Sequence, residues 1–144
     1  KNQDGEIMLR AVLEGARVVR SNTGAAVYWN HDGADRISNT ISDTKLLDSY
    51  TVIKQFHKQV VASNRLDSEM ESAFSYATHA LQRMAARNGL SAVEAIIADY
   101  RLSCGWPEFE GRLAHVISSR ILGLSRKERF ARSIHKLIGR RETI

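Results

Sequence analysis

Apolar residues recur at steps of three and four along most of the chain, which is the spacing of one face of an α-helix. The stripes span residues 8–19, 46–61, 70–84, 93–100, 109–121 and 130–138. Pro107 is the single proline among 144 residues, as a mainly helical chain requires. The pattern predicts an all-α fold, a compact bundle of about six amphipathic helices in one helical domain, 1–144.

Local signals agree with these helix ends. Three Ser-x-x-Glu capping boxes stand where helices should begin: Ser68 to Glu71, Ser91 to Glu94 and Ser125 to Glu128. Three glycines follow the ends of stripes: Gly89, Gly105 and Gly123. Pro107 is expected in the first turn of the helix after Gly105. These capping signals therefore place the helix ends where the apolar stripes begin and end.

Residues 21–43 break the helical pattern. The segment is rich in Ser, Asn, Thr, Asp and Gly around the run Val27-Tyr28-Trp29. So long a connector is uncommon in a compact domain, and it indicates either an irregular insertion or a β-hairpin. Tyr28 and Trp29 are candidates for a protein interface because such residues dominate interface hot spots. Their packing onto the bundle is the alternative.

Composition narrows the class of protein. The chain is 43% apolar and 26% charged, which is typical of folded domains. Its apolar runs are too short to span a membrane. Cys104 is the single cysteine, so an internal disulfide is excluded and a reducing compartment is favoured. We therefore expect a cytoplasmic protein with no membrane contact.

Charge is distributed unevenly along the chain. Residues 1–111 hold 12 basic and 14 acidic side chains, whereas residues 112–144 hold 9 basic and 2 acidic ones. The basic C-terminal helical segment, 112–144, therefore has a net charge of +7, residues 1–111 have −2, and the whole chain has +5. Such an uneven distribution of charge is typical of a protein whose partner carries phosphates or acidic groups.

The last helix concentrates these charges. If its apolar stripe from Phe130 through Ile134 faces the core, most of its basic residues lie together on the other side. Arginine grips a phosphate or a guanine edge with two hydrogen bonds. The candidate nucleic-acid-binding residues are Arg112, Arg120, Ser125, Arg126, Lys127, Arg129, Arg132, Lys136, Arg140 and Arg141. An ordinary solvated face is the alternative, although such a face usually mixes both signs of charge.

The segment from Leu113 to Leu137 has the outline of a helix-turn-helix. A helix is expected to end near Leu122, and Gly123-Leu124-Ser125 to form the turn, with Ser125 capping a basic helix. The turn resembles that of many bacterial regulators, whose second helix enters the major groove. The position six residues after Gly123 should be a buried aliphatic residue, but it is Arg129. The motif is therefore incomplete.

Catalytic and metal-binding patterns are weak. His31-Asp32 resembles the paired ligands of helical phosphohydrolases, but no histidine precedes it to complete a site. Cys104 with His79 or His115 as its base is a candidate nucleophile, yet a helix C-terminus disfavours a thiolate. The sequence contains no glycine-rich phosphate loop and no second histidine or cysteine at metal-ligand spacing. We therefore expect no enzymatic activity, no cofactor and no metal site.

The charge pattern favours one function over a second. We expect a non-enzymatic nucleic-acid-binding protein, most simply a regulator that contacts double-stranded DNA through its basic C-terminal helix. The alternative is a helical protein–protein interaction module, an adaptor or oligomerising scaffold whose basic helix docks on an acidic partner. A homodimer fits both interpretations.

Overall fold

A computed structural model describes residues 3–17 and 41–137, and within these ranges the protein has six α-helices and no strand. The helices are α1 (Gln3–Leu13), α2 (Asp43–Ala62), α3 (Ser68–Asn88), α4 (Ser91–Ser103), α5 (Leu113–Leu122) and α6 (Leu124–Leu137). The all-α prediction is confirmed for this part of the chain. None of the described helices has the length and apolar character needed to cross a membrane. Most of the predicted insertion, including Tyr28 and Trp29, lies outside the described residues, as do Arg140 and Arg141.

The first part of the core lies among α2, α3 and α4. Leu46 and Tyr50 of α2 pack against Ala85 of α3 and against Val93 and Ile97 of α4. All five are buried, and each belongs to an apolar stripe or directly adjoins one. The three helices whose sequence pattern is clearest thus bury the faces that the pattern predicts.

A second cluster closes the other end of these helices. Trp106 packs on Val60 and Phe74, at the point where the chain leaves α4. His57 lies against the same Trp106 ring, and its Nδ1 is 2.7 Å from the hydroxyl of Tyr100. Burial lowers the pKa of His57, so this histidine is a neutral core residue at pH 7.

Arg101 fixes the non-helical segment that leads to α5. Its side chain is 1% exposed and donates to Thr78 Oγ1 at 2.9 Å, to the Pro107 carbonyl at 2.6 Å and to Glu110 Oε1 at 3.0 Å. The prediction that Pro107 begins a helix is wrong, because α5 begins at Leu113. The segment is instead held against α3 by one buried guanidinium.

The three predicted capping boxes are also wrong. The side chain of Asp67 caps α3, and Leu90 stands at the N-cap of α4 without a side-chain bond. Helix α6 begins at Leu124, so Ser125 already lies inside it. The hydroxyl of Ser125 in α6 donates to the carboxylate of Glu94 in α4, so each side chain pairs with a residue of another helix and does not cap its own. At Glu94, Ser125 and Glu128, pairing between helices has replaced the local bonds that the pattern predicts.

Helix α6 turns an unexpected face to the bundle. Among its residues 124–134, Leu124 and Glu128 are buried, and they lie on the side that packs on α3. Phe130 is 65% exposed and Ile134 is exposed as well, so the prediction that they face the core is wrong. The cause is the buried carboxylate of Glu128, whose ion pair with Arg83 of α3 fixes the rotation of α6.

Candidate functional site

Three arginines meet where α3 ends beside α6. Arg87 comes from the last turn of α3, and Arg129 and Arg132 come from α6. Together with Asn88, Gly89 and Ser133 they line a cleft of about 300 Å³, which we call the arginine cleft. No acidic side chain is among the described residues that line it. The cleft therefore brings guanidinium groups of two helices close to one another.

The end of α3 shapes this cleft. Gly89 takes up the left-handed conformation, with φ 74°, and its amide closes the helix on the Ala85 and Ala86 carbonyls. Arg132 donates to the carbonyl of Arg87 at 3.3 Å, which suits the partial negative charge of a helix C-terminus. The Nε atom of Arg132 is buried and has no hydrogen-bond partner among the described residues.

Arg129 presents its charge to solvent in the same cleft. Its side chain is exposed, and its Nε donates to the Ser125 carbonyl one turn earlier at 3.3 Å. Two residues that the sequence analysis grouped, Arg129 and Arg132, are therefore together. Arg87 was missed because it belongs to the part of the chain with a balanced charge. The signal was present in the sequence, since Arg83 and Arg87 stand four residues apart on one helix.

Lys127 lies away from the arginine cleft. Its ammonium group contacts His115 Nδ1, lies 3.2 Å from Ser119 Oγ and is 3.8 Å from Glu128. Burial lowers the pKa of Lys127, and the nearby Glu128 opposes this shift. The side chain is therefore tied between α5 and α6.

The remaining predicted residues lie at different points along α5 and α6. Arg126 and Arg120 are exposed, and Arg112 is exposed at the start of α5. Arg112 and Arg120 stand at opposite ends of that helix, roughly 12 Å apart along its axis. The hydroxyl of Ser125 is engaged by Glu94. The side chain of Lys136 lies outside the described residues.

A second cleft lies between α3 and the start of α5. It has a volume of about 350 Å³, and we call it the histidine cleft. Its lining residues are Tyr76, His79, Ala80, Arg83, Glu110, Gly111, Arg112 and His115. The His79 and His115 rings meet edge to face with their centroids 5.6 Å apart. His79 lies on α3 and His115 on α5, so the packing of the two helices brings these rings together.

Both histidines are neutral at pH 7. Burial, helped by the Arg101 charge, lowers the pKa of His79 from 6.5 to about 4. Burial and the Arg83 charge also lower the pKa of His115. Protonation of either ring is therefore opposed both by lost hydration and by neighbouring cations.

The surface of α5 and α6 is strongly basic. Between residues 112 and 134 the one acidic side chain is Glu128, and it is buried. The exposed ionisable side chains of this stretch are Arg112, Arg120, Arg126 and Arg129. An ordinary solvated helix face carries acids among its bases, so this bias exceeds what solubility requires.

The helix order of a helix-turn-helix is present without its packing. Gly123 alone separates α5 from α6, with φ 74°. Arg129, at the position where the motif requires a buried aliphatic residue, is exposed, and so is Phe130. Helix α6 is held through Leu124 and Glu128 instead.

Apolar side chains form an exposed stripe on α5. Leu113, Ile117 and Ile121 follow one another at four-residue steps, on the side of the helix opposite the buried Ser119. Ile121 is 75% exposed. We call these three residues the apolar stripe.

No family model matches this chain, and neither a curated protein nor a solved structure matches it. Its function is therefore argued from the two clefts and the exposed faces of α5 and α6.

Proposed function

We propose that this protein binds nucleic acid through the phosphate backbone, with the arginine cleft at the centre of the contact. The observation that carries the proposal is the convergence of Arg87, Arg129 and Arg132 on one cleft, whose described lining residues include no acidic side chain. The planar fork of arginine matches two phosphate oxygens at once. Arg126, exposed one turn before Arg129, extends the contact along α6.

Duplex DNA is the proposed partner. It presents about one negative charge per 1.7 Å of its axis, so a helix carrying several exposed arginines meets phosphates in almost any register. Contacts of this kind position a protein on the duplex and carry no sequence information by themselves. The binding is expected to be electrostatic and to tolerate changes of DNA sequence. No catalytic step is part of the proposal.

The test is a titration of a labelled random duplex at several salt concentrations, read by fluorescence anisotropy. Four phosphate contacts are expected to give a slope near −3.6 in a plot of log affinity against log salt. The double variant Arg126→Glu/Arg129→Glu should lower the affinity at least tenfold and flatten the slope. Both side chains are exposed, so the variant should fold as the parent does.

Lys58→Glu is the control for charge alone, and it is compared with the single variant Arg129→Glu. Lys58 is an exposed residue of α2 and does not line the arginine cleft, while the charge change at this one site is the same as at either arginine. Its affinity should stay within about twofold of the parent. Absence of binding at low salt by the folded protein, or an equal loss in the control, would contradict the proposal.

A protein-interaction module is the second candidate function. The apolar stripe favours it, because exposed apolar surface on consecutive turns of a helix is typical of an interaction site. Arg120 on the same helix would suit an acidic partner or a second copy of the chain. If the protein is such a module, Ile121→Ser should weaken binding of the partner protein, while Arg129→Glu should leave that binding nearly unchanged.

A further inference from the structure

The two walls of the histidine cleft come from different parts of the chain. Tyr76, His79 and Arg83 line it from α3, while Arg112 and His115 line it from the first turn of α5. Arg101 and Glu110 hold the segment that precedes α5, so the start of that helix is fixed relative to α3. The cleft is therefore formed by two separate parts of the chain, and the buried Arg101–Glu110 ion pair keeps them in place.

The tautomer of His115 can be assigned from its neighbour. The ammonium group of Lys127 has only hydrogens to donate, so His115 Nδ1 is the acceptor of their hydrogen bond. The proton of the neutral ring consequently lies on Nε2. That atom is buried and has no hydrogen-bond partner among the described residues. His115 therefore holds an unused N–H donor in the wall of the cleft.

His79, on the facing helix, also has a ring nitrogen without a partner in the described part of the chain. The residue is 2% exposed and lines the cleft, and its Nε2 also has no partner among the described residues. A buried polar atom left without a partner is unfavourable, so a ligand that pairs with it is favoured. Two such atoms, on rings 5.6 Å apart, indicate a ligand with several hydrogen-bond acceptors.

The charges around the cleft select an anion. Glu110 is paired with Arg101 at 3.0 Å, and Glu128 is paired with Arg83 at 2.9 Å. Both nearby carboxylates are thus matched by an arginine, and the guanidinium of Arg112 adds a further positive charge. The amides of His115 and Val116 donate to the Arg112 carbonyl, and the helix dipole at this end of α5 favours negative charge. In the described part of the chain no three metal-ligating side chains come together, so a cation is not the ligand that this geometry suits.

We propose that the histidine cleft binds a single terminal phosphate group. Arg112 and the start of α5 hold its charge, and the His79 and His115 rings donate to its oxygens. The source is either free phosphate or the phosphorylated end of a nucleic acid, which share this chemistry. The site is separate from the arginine cleft, since the two clefts share no lining residue.

The primary test follows the ring resonances of His79 and His115 by NMR while inorganic phosphate is added to the full chain. Chloride at matched ionic strength is the reference. Phosphate is expected to shift both rings saturably in the millimolar range, whereas chloride leaves them unchanged. Equal effects of the two salts, or no saturable shift, would overturn the proposal.

Two variants locate the phosphate. Arg112→Gln is expected to weaken phosphate binding at least fivefold, because it removes the charge that lines the cleft. Arg120→Gln, at the other end of α5 and also exposed, is the matched control and should bind as the parent does. An equal loss in both variants overturns the site, because it reduces the effect to general charge. Since both side chains are exposed, a native amide spectrum is expected for each variant.

A pair of oligonucleotides distinguishes the source. A short strand with a 5′-phosphate is expected to shift His79 and His115 if the site takes nucleic-acid ends, while its 5′-hydroxyl counterpart leaves them unchanged. Response to inorganic phosphate alone supports a free-phosphate site. An equal response to both strands overturns the proposal, since the cleft would then be reading backbone phosphates. The Arg126→Glu/Arg129→Glu protein should keep phosphate binding, so this site can fail or hold independently of the arginine cleft.

Discussion

Arg83 on α3 and Glu128 on α6 form an ion pair in which Nε and Oε1 are 2.9 Å apart. The two residues are 45 positions apart in the chain, and Glu128 is 3% exposed. Lys127 and His115 lie 3.8 and 4.0 Å from the same carboxylate oxygen. This carboxylate decides which face of α6 is turned inward. It thereby places Phe130 on the surface and Arg129 in the arginine cleft.

Glu128→Gln is expected to lower the free energy of unfolding by about 2 kcal/mol. The substitution keeps the shape but leaves Arg83 and Lys127 without their carboxylate, and the cost stays below that of a fully buried pair because Arg83 is partly exposed. Urea unfolding measures the change. The matched control, Glu108→Gln, alters an exposed carboxylate and should change stability by less than about 0.5 kcal/mol. Equal stabilities of the two variants would contradict this role for Glu128.

Arg101→Lys is expected to cost about 3 kcal/mol or more of unfolding free energy. A lysine ammonium cannot reach Thr78, Pro107 and Glu110 together, and it would leave buried acceptors without donors. Urea unfolding again measures the effect, with the exposed Arg120→Lys as control. A loss of less than about 1 kcal/mol would show that the segment before α5 is held by other contacts.

Acid is expected to destabilise the protein through His79. Its pKa falls from 6.5 when unfolded to about 4 when folded, so the unfolded chain binds the proton more tightly. The contribution of His79 to the free energy of unfolding is fully present above pH 6.5. It is lost as the pH falls toward 4, and the total loss is up to about 3 kcal/mol. Urea unfolding at pH 7.5, 6 and 5 should show the decline, and His79→Gln should decline less steeply. Parallel curves for variant and parent would contradict the assignment.

The central helices were predictable because local pattern and long-range packing agree there. In α2, α3 and α4 the apolar stripes supply the buried residues Leu46, Phe74 and Ile97, so periodicity alone identifies the core. Helix ends were less predictable. A Ser-x-x-Glu sequence indicates a cap only if both side chains are otherwise unengaged, and Glu128 is bound by Arg83 instead.

The candidate sites could not be predicted for the same physical reason. The sequence of an amphipathic helix shows that one side is apolar, but it does not show what covers that side. Phe130 is an example, because no described residue buries it. Both clefts join residues far apart in the chain, such as Arg87 with Arg132 and His79 with His115. Charge bias identified the basic helix. Only the fold shows that Lys127 and Arg129, two residues apart, have different surroundings.

Lys127 and Arg129 should therefore respond differently in DNA binding. Arg129→Ala is expected to reduce affinity for a random duplex several-fold and to lower the salt slope by about one contact. Lys127→Ala should leave the salt slope unchanged, because its ammonium group is engaged by His115 and Ser119. Anisotropy titrations at three salt concentrations distinguish them. Equal changes in slope would place both side chains on the phosphate surface, contrary to the structure.

The apolar stripe on α5 should drive self-association if a second copy covers it. Light scattering is then expected to give a mass that rises above 16.2 kDa with concentration, and Ile117→Ser/Ile121→Ser should keep the protein at that mass. Both isoleucines are exposed, so the variant should lose little stability. Leu102→Ser, which removes another exposed leucine from α4, is the control and should associate as the parent does. A parent that stays at 16.2 kDa at every concentration would leave the stripe to a different partner and exclude the homodimer.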